Sequence, residues 1–359
     1  MSHLTRFQEK LTEKGFDAAI ISDPMNQRYL SGFDFQDGTV LVTQGAAYLL
    51  TDFRYAEAAA AQVGSEFEVL TPSEGHLVCI GSLLDDGACR SVLVEEDSLS
   101  CSQYANYQKK LSGVSLSGGA SEILSALRIC KDDLELETIA RAQQVTDAAF
   151  AHILKQMTPR MTEIDVALEL EFFMRRNGAE AIAFETIAVS GSNSSRPHGV
   201  PRACLLEKGF LTMDFGARVD GYCSDMTRTV VLGRADAEMK RLYDTVLRAQ
   251  TEALAAACEG AYCKELDRIA RDIIDGEGYK GCFGHSLGHG VGMLVHENPR
   301  LSPGADPASK LERGHVVTFE PGIYLSGKYG CRIEDMVAIR NDGTVHDFTQ
   351  SPKELIELF

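Results

Sequence analysis

Two aspartates, Asp214 and Asp225, stand eleven positions apart in a run that otherwise reads as β-structure, Thr212 to Thr229, TMDFGARVDGYCSDMTRT. Leu211, Met213 and Phe215 alternate with Thr212 and Asp214, and a second β-prone arm continues to Val230-Val231-Leu232. Between the arms, Val219-Asp220-Gly221-Tyr222 is a turn signal, since Asp-Gly favours a tight hairpin turn. Pairing the arms across that turn brings both aspartates to one region of a sheet. Carboxylates side by side in apolar strands repel, and burying them unpaired is costly. A polyvalent cation removes both problems. The hairpin is therefore either a metal platform or a solvated edge whose acids face water.

The rest of the chain bounds the answer. It has 359 residues, 44% of them apolar, which is enough for two ordinary domains with substantial cores. Its formal charge is −17 and no basic run stands out, which argues against nucleic acid and anionic membrane surfaces as partners. No apolar run approaches the ~20 residues of a membrane span. The N-terminal MSHLTRFQEKLTEKGFD is charged and amphipathic and lacks a signal-peptide core, so a cytoplasmic location is expected. Ten scattered cysteines without a CxxC pair read as free, mostly buried thiols.

In order, the pattern predicts a helix over 3–15, strands over 18–22, 39–42 and 47–51, and a helix from Asp52 to Gln62. A strand over 67–70, a helix over 76–84, a strand over 91–94, a helix over 101–111 and a short strand near Val114 complete a small α/β layer domain. Around 120–131 the pattern changes. A long helix fits 133–157, a second runs from Thr162, whose hydroxyl can cap it, to Gly178, and a strand-like segment fits 181–189. A polar loop, the aspartate hairpin, helices near 236–256 and 264–278, and a Gly-rich strand-like end follow. The expected domains are accordingly 1–128 and 129–359.

Three further stretches hold candidate ligands: His285, His289 and His296 in GHSLGHGVGMLVHENP, Glu320 in VVTFEPGIY, and Glu334 in GCRIEDMV. Singly, each has a bland reading as a hydrogen-bonding core histidine, a strand end or a solvated edge. Their surroundings favour a metal-binding role, because acids set among Val316, Val317 and Phe319, or among Ile333, Met336 and Val337, are unusual unless paired or metal-bound. Two Asp, one His and two Glu form a mostly oxygen set suited to two divalent ions such as Mn²⁺, Co²⁺ or Zn²⁺.

FETIAVSGSNSSRPHG, MDFGARVDGYCSDMTRT, HSLGHGVGMLVHENP, TFEPGIY and CRIEDMV, in that order, resemble the metallopeptidases of the pita-bread fold, which include methionine aminopeptidase, Xaa-Pro aminopeptidase and Xaa-Pro dipeptidase (prolidase). The resemblance covers 133–359. DPMNQRYLSGF and TDFRY make the first half similar to the prolidase-type N-terminal domain, which methionine aminopeptidase lacks. The implied architecture is an α/β N-terminal domain followed by an α+β pita-bread catalytic domain. The resemblance implies that Asp214 chelates one metal, that Asp225 and Glu334 bridge both, and that His289 and Glu320 bind the other. His285 matches a position that is not a ligand, while His198 and His296 match histidines lining the substrate site. Glu320 is also the implied proton shuttle. Arg332 matches an arginine beside the bridging glutamate, either supporting a ligand or meeting a dipeptide's carboxylate. Creatinase, a relative that works without metal, lacks this ligand set.

The activity so implied is removal of an N-terminal residue that precedes proline, from short proline-containing peptides, by a homodimeric enzyme. Xaa-Pro dipeptidase and Xaa-Pro aminopeptidase share the motifs. Two further functions stay open on this fold: a broader aminopeptidase that accepts N-terminal Met, and a catalytically silent peptide-binding protein. Arg196, just before Pro-His-Gly, is either a second carboxylate catcher or an exposed loop residue. Thr227 or Thr229 either bonds a ligand carboxylate or reflects strand propensity, and Tyr222 is read as packing.

Overall fold

A computed structural model describes all residues, Met1–Phe359, and the chain divides into two compact units, Met1–Arg128 and Ile129–Phe359. The first is built on a six-stranded sheet in the order Glu68–Leu70, Ala47–Thr51, Gly38–Thr43, Ala18–Ile21, Ser91–Val94, Ser115–Ser117. Ala18–Ile21 is buried throughout, pairing antiparallel with Gly38–Thr43 and parallel with Ser91–Val94. An all-apolar AAII strand is what a two-sided burial requires. Ile20, Leu41, Leu50, Val92 and Val94 carry the core on one face.

Two helices of this unit do not show in the periodicity. Pro24–Ser31 starts on the Asp23 carboxylate, which accepts from the Met25 and Asn26 amides, has Pro at its first turn, and ends at Gly32 with φ 71°. Ala120–Ile129 is the other. All ten cysteines are free, but only Cys89, Cys223, Cys263 and Cys331 are buried, which corrects the expectation of mostly buried thiols. No helix is long and apolar enough to cross a membrane.

The second unit opens with helices Asp133–Gln156 and Glu163–Arg176, each begun by a reciprocal capping box, Asp132 with Glu135 and Thr162 with Asp165. They lie against a four-stranded sheet, Glu357–Leu358, Met226–Leu232, Gly209–Phe215, Ile187–Ser190, through Phe150, Ile153, Leu170, Leu211 and Met213. A five-stranded sheet follows, Glu297–Leu301, Gly288–Gly290, Val316–Phe319, Asp335–Ile339, Val345–Asp347, with the pair Gly322–Leu325 and Tyr329–Arg332 beside it. Helices Ala237–Ala255 and Cys263–Ile274 cover it with Leu242, Val246, Leu266 and Ala270.

The aspartate hairpin differs from the simple one expected from sequence. Gly209–Phe215 does pair antiparallel with Met226–Leu232, but Asp214 faces Thr227, and Asp225 lies just before the second arm. The Asp220-Gly221 turn, with φ 47° and 88°, closes a smaller hairpin of Ala217–Val219 and Tyr222–Cys223 that joins Ala181–Ile182 in another sheet. The expected single strand over 181–189 is likewise split between two sheets, as Ala181–Ile182 and Ile187–Ser190.

Candidate metal centre

All five proposed ligands lie in or beside short strands. Asp214 lies in Gly209–Phe215, Asp225 precedes Met226–Leu232, His289 is the middle of Gly288–Gly290, Glu320 follows Val316–Phe319 and Glu334 precedes Asp335–Ile339. Register does the rest. Phe319 pairs with Asp335, so Glu320 and Glu334 emerge side by side, and the Glu334 amide donates to the Thr227 carbonyl at 3.1 Å, tying the two sheets together. The glycines around His289 permit the approach, because a Cβ at Gly288 would lie 1.9 Å from the Thr318 carbonyl oxygen and one at Gly290 2.1 Å from that of Asn298.

The five side chains line one cavity of about 490 Å³. His289 Nε2 lies 3.2 Å from Glu320 Oε1 and 3.6 Å from Asp225 Oδ2, and ligand atoms of Asp225, His289 and Glu334 all lie within 4.8 Å of one another. Burial, and then repulsion from neighbouring acids, pushes the Asp225 and Glu334 carboxyls well above the usual range. Oδ1 of Asp214 and Oε1 of Glu334 are buried without a hydrogen-bond partner. His289 Nδ1 lies 3.1 Å from the Gly290 carbonyl, which can only accept, so Nδ1 carries a proton and Nε2 is the nitrogen aimed at two acids. At these distances Nε2 can donate to Glu320 or offer its lone pair to a cation held among the acids. The residues thus fit a divalent-cation centre, and the oxygen-rich donor set favours hard ions over thiophilic ones.

Behind this floor runs a hydrogen-bonded frame. Arg332 donates through Nη2 to Asp214 Oδ2 at 2.5 Å, through Nε to Thr227 Oγ1 at 3.0 Å and through Nη1 to the Tyr324 hydroxyl at 2.6 Å. Thr227 Oγ1 in turn donates to Glu334 Oε2 at 2.8 Å. The Tyr324 hydroxyl is 2.9 Å from His285 Nε2, while His285 Nδ1 donates to the Ser286 carbonyl. His285 therefore braces Tyr324 rather than joining the acids. Of the two roles open to Arg332, this geometry serves support of a ligand carboxylate, that of Asp214 rather than Glu334. Thr227 bonds a carboxylate, whereas Thr229 bonds the Arg332 backbone. Tyr222 does more than pack, since its hydroxyl donates to Glu135 at 2.8 Å.

A second buried frame fixes Glu334 from behind. Arg228, 1% exposed, donates to the carbonyls of Glu334 and Thr227, to Asp335 Oδ1, and to the carbonyls of Ser351 and Pro352. Asp335 Oδ2 also receives Gln250 at 2.8 Å and Lys353.

His198 and His296 face the same cavity. Burial, then the neighbouring His289 and Arg300, lowers His296 to about 4, so it is neutral at ordinary pH. Its ring stands edge-on to His289 at 4.3 Å. Three features are not evident from the sequence: Tyr324, an apolar wall of Phe184, Ile187 and Val295, and Arg300, which lines the cavity. Arg300 lies four residues after His296, at an outward position of the strand Glu297–Leu301 whose burial alternates, a spacing that carries the signal. Arg196 is exposed and does not line the cavity.

Residues 137–341 match the model of metallopeptidase family M24, and residues 3–130 match the creatinase/prolidase N-terminal domain. A Xaa-Pro dipeptidase of Pyrococcus furiosus is 35% identical over 98% of this chain and 99% of its own. Among solved structures, a Xaa-Pro dipeptidase from Bacillus anthracis superposes with a TM-score of 0.93 at 37% identity, covering 99% of each chain. An X-Pro aminopeptidase from Thermotoga maritima does so with 0.91 at 35% identity, covering 98% of this chain and 99% of its own. The pita-bread architecture expected from sequence is thereby shown. With a matching model over more than half its length and full-length relatives above 30% identity, the chain belongs to metallopeptidase family M24.

Proposed function

We propose that the protein is a metal-dependent exopeptidase that hydrolyses the bond between an N-terminal residue and proline, with dipeptides as its preferred substrates. The observation that carries this reading is the convergence of four carboxylates and the Nε2 of His289 on the floor of one cavity. On this reading residues 1–128 form an accessory domain and 129–359 the catalytic one. Asp214, Asp225, His289, Glu320 and Glu334 would hold two divalent ions, with Mn²⁺ or Co²⁺ matching the donors better than Zn²⁺. When bound, the ions supply a Lewis acid for the scissile carbonyl and lower the pKa of the attacking water.

The chain's own residues do the remainder. A carboxylate of the floor would accept a hydrogen bond from the substrate's free α-amino group, which restricts cleavage to the first residue. Phe184, Ile187 and Val295 present an apolar wall to the pyrrolidine ring. Neutral His296 donates an N–H toward the oxygen that gains negative charge, an interaction worth most in the transition state. His198 contacts the substrate beside the bond. Glu320 takes the proton of the attacking water and returns it to the prolyl nitrogen, which carries none in the substrate. Arg332 holds Asp214 in place.

Arg300 favours the dipeptidase over the aminopeptidase. It is a guanidinium on the cavity wall with no acidic partner, placed to receive a free carboxylate one residue beyond the bond. Turnover of Ala-Pro, Ala-Pro-Ala and Met-Ala-Ser with Mn²⁺ tests the reading. Ala-Pro cut fastest is expected, and equal cleavage of Met-Ala-Ser would contradict it. A two-copy assembly and a cytoplasmic location go with this reading, and sedimentation equilibrium and cell fractionation test them.

A further inference from the structure

The run from His289 to His296 leaves one strand and leads into the next, whose first residue, Glu297, is buried. In Glu297–Leu301 inward and outward positions alternate, so the direction of the Glu297 side chain fixes the phase of the pleat that follows His296. Both Glu297 oxygens are engaged. Oε1 accepts the Leu294 amide at 3.1 Å, closing the loop, and Oε2 lies 3.2 Å from the Lys131 ammonium. The Lys131 and Glu297 side chains are 1% and 5% exposed.

Lys131 is itself anchored. Its amide donates to the Gly314 carbonyl at 2.8 Å and its ammonium to the Ile129 carbonyl at 3.3 Å. The loop closes over this ion pair only because position 292 has no side chain: a Cβ there would lie 2.5 Å from Glu297 Oε2 and 2.9 Å from Lys131 Cε. A buried ion pair is a poor source of net stability compared with apolar side chains of the same size. What it supplies is one fixed geometry for Glu297, the chain neighbour of the histidine that stands edge-on to His289.

We propose that Lys131 is a positioning residue for His296: its buried contact with Glu297 fixes the strand entry that aims the His296 imidazole over the cavity. The proposal rests on the role given to His296 above. Lys131 touches neither the acids of the centre nor the cavity, so its effect on the reaction passes through His296.

The test uses the full chain with Mn²⁺, and the variants Lys131→Met, Gly292→Ala, His296→Ala and Lys131→Met/His296→Ala. Turnover of Ala-Pro gives kcat and KM, calorimetry gives Mn²⁺ affinity, and ¹³Cε1-histidine NMR of the metal-free protein reports ring environment directly. Lys131→Met is expected to lower kcat about tenfold with KM within about twofold, because small misplacements of a reacting group are costly. It should leave Mn²⁺ affinity unchanged and move the His296 resonance but not that of His152 on an outer helix. Gly292→Ala, which wedges the pair apart without removing charge, should act in the same direction and carries the test if Lys131→Met does not fold. On the His296→Ala background Lys131→Met should have no further effect. An unchanged kcat, an unmoved His296 resonance, or the same fold-loss on both backgrounds would overturn the proposal while leaving the peptidase reading intact. A His296→Ala variant with wild-type kcat would instead remove the role of His296, and this proposal with it.

Discussion

Arg332 meets Asp214 through Nη2 and Oδ2 at 2.5 Å with both side chains largely buried, and the contact leaves the other Asp214 oxygen without a protein partner. One oxygen is thus locked by a guanidinium and the other is left buried without a partner on a residue that lines the cavity, which is the arrangement a metal-binding carboxylate needs. The same guanidinium reaches Tyr324 and, through Thr227, Glu334, so a single side chain orients two acids of the floor.

Replacing Arg332 by Met should therefore weaken Mn²⁺ binding about 10- to 100-fold, the usual cost of losing a group that orients a ligand. Titration calorimetry of the chelator-treated protein measures it. Unchanged affinity would show that Asp214 needs no external orientation.

Arg228 should contribute strongly to stability. Arg228→Met removes five buried contacts and leaves Asp335 with only Lys353 and Gln250. Breaking a buried ion pair on one side costs about 3–5 kcal/mol. Urea unfolding of the metal-free protein should show a loss of that order, and a loss below about 1 kcal/mol would contradict it.

His315 makes stability depend on pH. It is 5% exposed, and its Nδ1 accepts the Glu312 amide at 3.1 Å, which requires the neutral ring. Burial, then the nearby Lys131 charge, lowers it to about 4. The unfolded chain, with an ordinary histidine near 6.5, binds the proton first. The sign follows: the stability this residue contributes is complete above about 6.5 and is lost as pH falls toward about 4. His315→Asn keeps an acceptor and removes the titration. Between pH 7 and pH 5 wild type should lose about 2 kcal/mol more than the variant in urea unfolding. Parallel curves would contradict the assignment.

Arg300→Gln should raise KM for Ala-Pro about tenfold or more, the loss expected for a charge-assisted hydrogen bond, and leave kcat nearly unchanged. Ala-Pro-Ala, whose carboxylate lies one residue further out, should be indifferent. Equal effects on both substrates would remove the carboxylate role.

Much of the fold and of the floor is legible in the sequence, for identifiable reasons. Strands such as Ala18–Ile21 and Ser91–Val94 show as short apolar runs between turn residues. The acids of the floor show because Asp214, Glu320 and Glu334 interrupt apolar strands, where a carboxylate calls for a partner. The helix Pro24–Ser31 does not show because two turns are too short for a period, although Asp23, Pro24 and Gly32 mark both ends. The hairpin register departs from expectation because its Asp-Gly turn belongs to a small inserted hairpin in another sheet. Tyr324 reads in sequence as an ordinary strand aromatic, and Lys131 as one charge among many. Their roles exist only in contacts with Arg332, His285 and Glu297, which no local pattern encodes.

The central claim, that the acids and His289 hold two cations needed for prolyl-peptide hydrolysis, is tested most directly by metal stoichiometry paired with turnover. The chelator-treated chain and its Asp225→Asn/Glu334→Gln variant would be titrated with Mn²⁺ and assayed on Ala-Pro at each step. The account predicts that wild type binds two ions and gains activity with them, while the variant neither fills both positions nor turns over. Full Ala-Pro hydrolysis by the chelated protein, or by the double variant, would contradict it.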